Sequence, residues 1–220
     1  MKTRPLALAL APLAGLLAGC SAEFSGVTIA GACSAPAPDA ASGACTYPAA
    51  CDAFFAGTAI LDAAAGQVQG LDFRLPVEID NTLPNNADTA NGRVNTNDAQ
   101  VQSFEVSYPG TSLGTWNVPA TVTIRAAGTS GALLRLIRVQ DFAALAPSGA
   151  GTRQIDIAVR AHGVLGSQSA FSTAWFHVPV TVCNDCLPTN PCPAGKSYVA
   201  ACPSAPAPGP VQTPSTVLCQ

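Results

Sequence analysis

The sequence predicts an all-β protein: an antiparallel β-sandwich with disulfide-rich segments at both ends. Three observations support this fold class. Apolar and polar residues alternate with a period of two in several stretches between residues 54 and 182, as in strands with one buried face. Turn-forming residues separate these stretches, and none of the intervals carries the helical pattern that an α/β fold would need. All nine cysteines lie before or after this region.

The composition is poor in charge. Charged residues make up 10% of the 220 residues, against about 25% in an ordinary soluble domain. The 48% apolar content is high enough for a hydrophobic core. The ten basic residues are scattered along the chain, and the net charge is −3. Because a phosphate backbone needs a clustered basic surface, we expect no nucleic-acid partner.

The first twenty residues predict export. Lys2 and Arg4 precede an apolar run over residues 6–16, and small residues follow it. This order is typical of a secretory signal peptide. At about 1.5 Å per residue, the run is too short for the ~30 Å of hydrocarbon that a transmembrane helix must cross. We therefore expect residues 1–19 to be a cleaved signal peptide.

The end of this segment, Leu17-Ala18-Gly19-Cys20, resembles the lipobox of bacterial lipoproteins. The resemblance implies that Cys20 receives a diacylglycerol group and becomes the acylated first residue of the mature chain. Since two acyl chains already give stable anchoring, the implied location is the cell envelope, with the chain held on a membrane by lipid. Ser21 resembles the residue found at this position in Gram-negative lipoproteins sorted to the outer membrane. An ordinary cleaved signal with a coincidental cysteine is the alternative.

The remaining eight cysteines predict disulfides, because an even number in an exported chain is typical of a disulfide framework. They are Cys33, Cys45, Cys51, Cys183, Cys186, Cys192, Cys202 and Cys219. Three precede the β-rich region and five follow it, and both numbers are odd. Complete pairing therefore requires at least one bridge between the two ends of the chain.

Cys183 and Cys186 form a C-x-x-C pair, which also occurs in zinc sites and in redox proteins. Neither context fits well. A zinc ribbon needs a second such pair or a histidine pair at suitable spacing, and a redox pair normally begins a helix, whereas prolines follow here. We expect a structural disulfide and no metal site, with redox chemistry and metal binding as the alternatives.

Strand patterns follow one another through the middle of the chain. Residues 71–80 alternate between apolar and polar, and Pro76 favours a position at a sheet edge because proline lacks the N–H that a central strand uses. Further alternation covers residues 104–108, 116–124, 155–161 and 176–182. The apolar run 133–139 predicts another strand, and residues 141–145 predict a short helix or bend.

About seven strands over residues 54–182 would form an immunoglobulin-like or fibronectin-like module. The predicted organisation is a signal peptide (1–19), a tether and cysteine-bearing lead-in (20–53), the β-sandwich domain (54–182) and a cysteine- and proline-rich C-terminal segment (183–220). Small residues dominate the lead-in and prolines the C-terminal segment, so we expect no strand-rich domain in that last segment.

Catalytic patterns are weak, and we expect no enzyme, no catalytic residue and no cofactor. A G-x-S-x-G pattern surrounds Ser112, but such a serine needs a helix after it, and a strand pattern follows here.

His162 and His177 are predicted on adjacent strands, each on the face opposite the apolar residues, where solvated surface positions are the simplest interpretation. Trp116 and Trp175 are expected in the core or at its rim, and a platform for sugar stacking is the alternative.

The polar stretch between residues 80 and 98 is rich in side-chain oxygens. The candidate ligand residues are Asp80, Asp88, Asn91, Asn95, Asn97 and Asp98. Calcium takes about six to eight oxygen ligands, but the stretch lacks EF-hand spacing and a terminal glutamate, and Asn and Asp also favour turns. We expect a long surface loop, with a weak calcium or ligand loop as the alternative.

The arrangement of lipobox, small-residue tether, sandwich and cysteine-rich end is similar to that of uncharacterised lipoproteins of GC-rich Gram-negative bacteria. The resemblance carries no activity to transfer. Our leading hypothesis is a lipid-anchored, non-enzymatic cell-envelope protein, held in the outer membrane, that presents its β-sandwich to a protein partner in adhesion, transport or envelope assembly. A carbohydrate- or calcium-binding module on the cell surface is the alternative function.

Overall fold

The structure, a computed structural model, describes residues 26–34, 39, 41, 50–55, 57–64, 72–149, 151–186, 198–201 and 217–219. Within these residues strands dominate, which confirms the predicted all-β class. The strands are β1 (Val27–Ala32), β2 (Ala59–Asp62), β3 (Phe73–Asn81), β4 (Ala99–Ser107), β5 (Trp116–Ile124), β6 (Gly128–Ile137), β7 (Thr152–Leu165), β8 (Ala170–Ser172), β9 (Phe176–Cys183), β10 (Tyr198–Ala201) and β11 (Val217–Cys219). A short helix, α1 (Phe142–Leu145), follows a 3-10 turn at Val139–Asp141. Among the described residues, no helix has the length and apolar character needed to cross a membrane.

Most of the strands lie in two sheets. The smaller sheet has the order β1-β3-β6, and the larger has the order β2-β9-β7-β4-β5, with β8 also paired to β7. Their pairs are antiparallel except for β2–β9, at one edge of the larger sheet. β10 and β11 form a separate antiparallel pair. The immunoglobulin-like form of the sandwich is not confirmed, because one of the sheets curls into a half-barrel.

One hydrophobic cluster joins the two sheets. β3 contributes Phe73, Leu75 and Ile79, which are almost inaccessible to solvent. The larger sheet contributes the inward residues of β4 and β7, and α1 adds Phe142 and Leu145. Burial of one such side chain contributes about 1.5–3 kcal/mol, so the inward residues of the alternating stretches supply much of the stability of the fold.

Several predicted strand boundaries are close to the observed ones. β5 coincides with the predicted stretch 116–124, and β9 extends the stretch 176–182 by one residue. The apolar run that begins at Leu133 lies largely within β6, and α1 lies within the predicted short helix at 141–145. These segments are the ones whose apolar pattern is strongest.

The predicted edge position of β3 is wrong. β3 lies in the middle of the smaller sheet, between β1 and β6. Pro76 is tolerated there because it lies just beyond the β1 pairing, which ends at Ala32 and Val77. The Pro76 carbonyl still accepts the Cys33 N–H at 2.8 Å. Only the hydrogen bond that an N–H of residue 76 would donate is lost.

The observed fold also extends beyond the predicted domain, residues 54–182. β1 lies in the predicted lead-in, yet it pairs with β3 and buries Val27 and Ile29 in the core. Its glycine and alanine content gives only a short alternation, which sequence reasoning did not recognise as a strand. β10 and β11 lie in the predicted C-terminal segment and form a short pair there.

The residues after β1 cover the outer face of the smaller sheet. A Cβ at Gly31 would lie 2.5 Å from the ring of Phe54, so glycine allows that ring to lie on the strand. The buried Glu78 of β3 accepts the backbone N–H of Cys51, and a disulfide joins Cys51 to Cys33. This cover explains why the polar face of β3, expected to be solvated, is partly buried.

Tyr108 connects the two sheets at a β-bulge. Leu136 is an extra residue of β6 without a register partner in β3, because the register of the pair shifts there. The Tyr108 hydroxyl donates to the Leu136 carbonyl at 2.6 Å and accepts the Trp116 Nε1–H at 3.0 Å. Arg135 and Arg138 lie 5.2 and 4.8 Å from the centre of the Trp116 ring, within cation–π range. Trp116 thus lies at the rim of the core, as predicted.

Candidate functional site

A polar cluster lies on the outer face of the larger sheet, where β4, β7 and β8 meet. Arg160 and His162 of β7 face outward because their neighbours along the strand are buried in the core. The register places Glu105 of β4 opposite Arg160, and Ser172 of β8 opposite His162. Side chains from three strands are therefore brought to one patch.

One carboxylate oxygen organises the cluster. Glu105 Oε2 accepts hydrogen bonds from Arg160 Nε at 2.6 Å and from His162 Nε2 at 2.9 Å. The other ring nitrogen of His162, Nδ1, lies 2.8 Å from the Ser172 hydroxyl, within hydrogen-bond distance. The Arg160 guanidinium lies 4.4 Å over the ring centre of Trp175. We name these five residues the Trp175 surface.

The Trp175 surface combines fixed charges with an exposed ring. The hydrogen bond from Arg160 lowers the pKa of Glu105; burial opposes this effect, and the hydrogen bond from His162 adds to it. The carboxylate therefore remains ionised at neutral pH and holds both partners in place. The Trp175 side chain, 37% exposed, offers apolar area beside these groups. Such a mixture of apolar and polar groups is suited to binding.

Ser172, His162 and Glu105 are connected in the order nucleophile, base and carboxylate that activates serine in hydrolases. The surroundings disfavour that chemistry. Arg160 shares the Glu105 oxygen, so the carboxylate does not serve His162 alone, as the carboxylate of a serine triad does. The cluster also lies on an outer face in contact with water, where an oxyanion is weakly stabilised. Binding fits this arrangement better than acyl transfer does.

Sequence reasoning found the two histidines but not the partners of His162. His177 is the exposed surface residue that was expected, and it contacts Asp156 at 2.6 Å. His162 is more enclosed and belongs to the cluster. Period two shows which residues face outward, but it does not show that β4 and β8 both lie beside β7. Ser112 lies in the connection before β5, so a strand follows it, as predicted.

The loop between β3 and β4 uses its polar side chains internally. Asp88 caps the following 3-10 turn and is also bonded by the Asn91 side chain. Asn95 donates to Asp98 at 2.7 Å, and Asn97 donates to a loop carbonyl at 2.7 Å. These contacts build a surface loop, and they occupy several of the oxygens that would otherwise be available to a cation.

Asp80 lies at the start of this region, on β3. One of its oxygens is buried without a hydrogen-bond partner, and burial raises its pKa, with a further contribution from Glu78. Within the part of the chain that the structure describes, Asp62, Cys183 and Cys186 lie within 4.8 Å of one another, but a disulfide joins the two cysteines, so they offer no thiolate to a metal. The aspartates of the loop, Asp80, Asp88 and Asp98, are not gathered with other described acidic, histidine or cysteine side chains into a group of this kind.

Two disulfides are present within the described residues. They join Cys33 to Cys51 and Cys183 to Cys186. Cys20, Cys45, Cys192 and Cys202 lie outside the described residues, as does the side chain of Cys219. The predicted bridge between the two ends of the chain stays a prediction. Its early partner would be Cys45, because Cys33 and Cys51 are paired with each other.

Comparison with known proteins assigns the chain to no family. No protein-family profile matches it, and neither do curated proteins nor solved structures. The class that the described residues define is an all-β, disulfide-bonded protein. Its candidate site is the Trp175 surface, on the outside of the larger sheet.

Proposed function

We propose that the mature chain is a lipid-anchored protein of the bacterial outer membrane that binds a partner protein through the Trp175 surface and has no enzymatic activity. The anchor is supported by the lipobox-like residues Leu17–Cys20 after a short apolar segment. Adhesion, transport and envelope assembly are the processes that such a protein would serve.

The stacked pair of Arg160 and Trp175 is the observation that carries the binding part of the proposal. Tryptophan and arginine are enriched among the few residues that dominate the energetics of protein interfaces. The Glu105 hydrogen bond fixes the guanidinium in place, so little side-chain freedom is left to lose on binding. The ring supplies apolar area at the centre, and His162 and Ser172 supply polar groups around it.

Intact mass of the protein extracted from the membranes of a Gram-negative host tests the anchor. We expect a mature chain that begins at Cys20 and carries acyl groups. Cys20→Ala should lose both the lipid and the membrane association. A wild-type chain that begins at another residue, or that carries no lipid, would refute the anchor.

Crosslinking in intact cells tests the binding surface. Leu133→Ala is a matched control for Trp175→Ala, because Leu133 is 39% exposed, close to the 37% of Trp175, and lies on the other sheet. Truncation of a dominant interface residue costs about 2 kcal/mol or more, which is roughly a 30-fold loss of affinity. We expect that loss for Trp175→Ala alone. An equal loss in both variants, or the absence of any partner of the wild type, would refute the proposal.

A fluorophosphonate probe, which labels activated serines, tests the non-enzymatic part. We expect no labelling of Ser172, because Arg160 shares the Glu105 carboxylate with His162 and the cluster lies on an outer face in contact with water. Ser172→Ala provides the background signal. Labelling of the wild type that disappears in this variant would show an activated serine and overturn this part of the proposal.

A carbohydrate-binding module is the second candidate, favoured by the exposed ring of Trp175. Sugar rings stack on aromatic side chains and form hydrogen bonds with charged groups such as Glu105 and Arg160. Thermal melting with cell-wall glycans distinguishes this candidate. A rise in Tm that Trp175→Ala abolishes would favour glycan binding, and a rise with calcium alone would favour a ligand role for the loop at residues 80–98.

A further inference from the structure

The Cys183–Cys186 disulfide closes a much shorter ring than the Cys33–Cys51 disulfide, with a sequence separation of 3 against 18. In the chain-entropy model, a disulfide stabilises by restricting the unfolded chain, and this effect grows with the length of the closed loop. The shorter bridge therefore restricts the unfolded chain less. A purely stabilising role therefore accounts for the Cys183–Cys186 disulfide less well than for the Cys33–Cys51 disulfide.

One cysteine of the shorter disulfide is exposed and the other is buried. Cys183 is the last residue of β9 and is fully buried, whereas Cys186 is exposed. The turn between them is held from two sides. Asn184 donates to a carbonyl after α1 at 3.2 Å, and the Asp185 N–H donates to Asp62 Oδ1 at 3.1 Å. Cys186 is thus presented to solvent at a fixed place.

The enclosed side has groups that suit a released thiol. The Leu61 carbonyl lies 3.5 Å from Cys183 Sγ, where it is able to accept a hydrogen bond from an S–H group. The Asp62 carboxylate is 1% exposed and lies within 4.8 Å of both sulfurs.

From this arrangement we propose that Cys183–Cys186 is a thiol–disulfide exchange site that oxidises low-molecular-weight thiols, with Cys186 as the sulfur that is attacked. A thiolate RS⁻ bonds to Cys186 Sγ as the bond to Cys183 breaks. Cys183 leaves with the electron pair and takes a proton from solvent. A second thiolate then attacks the RS sulfur, releasing RS–SR and the Cys186 thiolate. Two thiols are oxidised to one disulfide, and the protein disulfide is reduced to two thiols.

Exchange with glutathione tests this proposal, which does not depend on the lipid anchor or on the Trp175 surface. The full mature chain is incubated in defined mixtures of reduced and oxidised glutathione, alkylated and mapped by mass spectrometry. We expect Cys183–Cys186 to open in mixtures in which Cys33–Cys51 stays closed, with the glutathione adduct on Cys186. Opening of both bridges together, an adduct on Cys183, or opening only after unfolding would overturn the proposal.

Two variants separate the sulfurs. Cys183→Ser leaves the exposed Cys186, and we expect it to accumulate a one-to-one glutathione adduct because no neighbouring thiol displaces the glutathione. Cys186→Ser leaves the buried Cys183, and we expect its adduct to form at least tenfold more slowly. Both variants lack the same bridge, so equal rates would overturn the assignment of Cys186. If a variant does not fold, the wild-type mapping decides the question alone.

Discussion

Replacing Tyr108 by phenylalanine removes one oxygen atom from the junction between the two sheets. The ring keeps its place in the core, so Tyr108→Phe tests the hydroxyl alone. Two groups lose their hydrogen-bond partner in the variant: the Leu136 carbonyl at the β6 bulge and the Trp116 Nε1–H. The variant therefore measures how far this hydroxyl stabilises the contact between the sheets.

The Leu136 carbonyl accounts for most of the expected loss. A buried polar group left without a partner costs about 1–3 kcal/mol, and Leu136 is fully buried at a position without a register partner in β3. Trp116 is half-buried, so water replaces its lost acceptor at a cost of about 0.5–1 kcal/mol. We expect the free energy of unfolding to fall by about 1.5–4 kcal/mol in total.

Urea unfolding followed by circular dichroism measures this free energy. Thr121→Val is the control, because Thr121 is exposed on β5 and the loss of its hydroxyl should change the free energy by less than about 0.5 kcal/mol. If Tyr108→Phe costs no more than this control, the reasoning about the bulge is wrong.

The same hydroxyl predicts a loss of stability at alkaline pH. Burial raises the pKa of Tyr108 to about 12, from an ordinary value of 10.0. Because the folded state holds the proton more tightly than the unfolded state, this contribution is fully present below pH 10 and is lost as the pH rises through 12. The rise from 10 to 12 corresponds to about 3 kcal/mol. Unfolding measured at pH 9 and above pH 11 should show this loss in the wild type, and Tyr108→Phe should lack it.

Replacing both Cys33 and Cys51 by alanine removes a bridge with a sequence separation of 18; we expect urea unfolding to show a loss of about 3 kcal/mol, and a loss below about 1 kcal/mol would contradict a stabilising role. Glu105→Gln should flatten the fall in stability below about pH 4.5, because the guanidinium beside Glu105 lowers the pKa of its carboxyl and this contribution is lost as the pH falls through the lowered value. Acid unfolding followed by circular dichroism checks this outcome, and identical curves would contradict it. Gly163→Ala should lower the free energy of unfolding, obtained from thermal melting, by about 1–3 kcal/mol. The reason is that a Cβ at this position would lie 2.1 Å from a backbone oxygen of β4. Gly114→Ala, where a Cβ meets nothing within 4 Å, should melt close to the wild type.

Strands could be predicted from the sequence where one face is buried and the other is in water. β5 is an example, because Val118, Ala120 and Val122 are half-buried and alternate with exposed residues. β3 is different, since the residues after β1 cover its second face and bury Pro76 and Glu78. The rule that proline favours an edge failed there because β1 ends where the missing N–H would have been needed.

The neighbours of each strand, and with them the candidate site, could not be predicted in this way. Alternation shows that Glu105, Arg160 and His162 face away from the core, but it is compatible with many orders of strands in the sheet. Ser172 belongs to a strand of three residues, which is too short to give a periodic signal. Thus the contacts of the Trp175 surface depend on pairings between distant segments, which only the folded chain defines.

The parallel β2–β9 pair limits when the larger sheet is completed. Ala59 pairs with Val180, so β2 waits for a strand that is synthesised much later in the chain. Pairings between such distant segments form slowly, because a long loop must close before any contact is gained. Until β9 is in place, β7 has an unpaired edge along most of its length, and unpaired edges invite pairing with other chains. A chain interrupted before β9 is therefore expected to aggregate rather than to fold into a smaller version of the same domain.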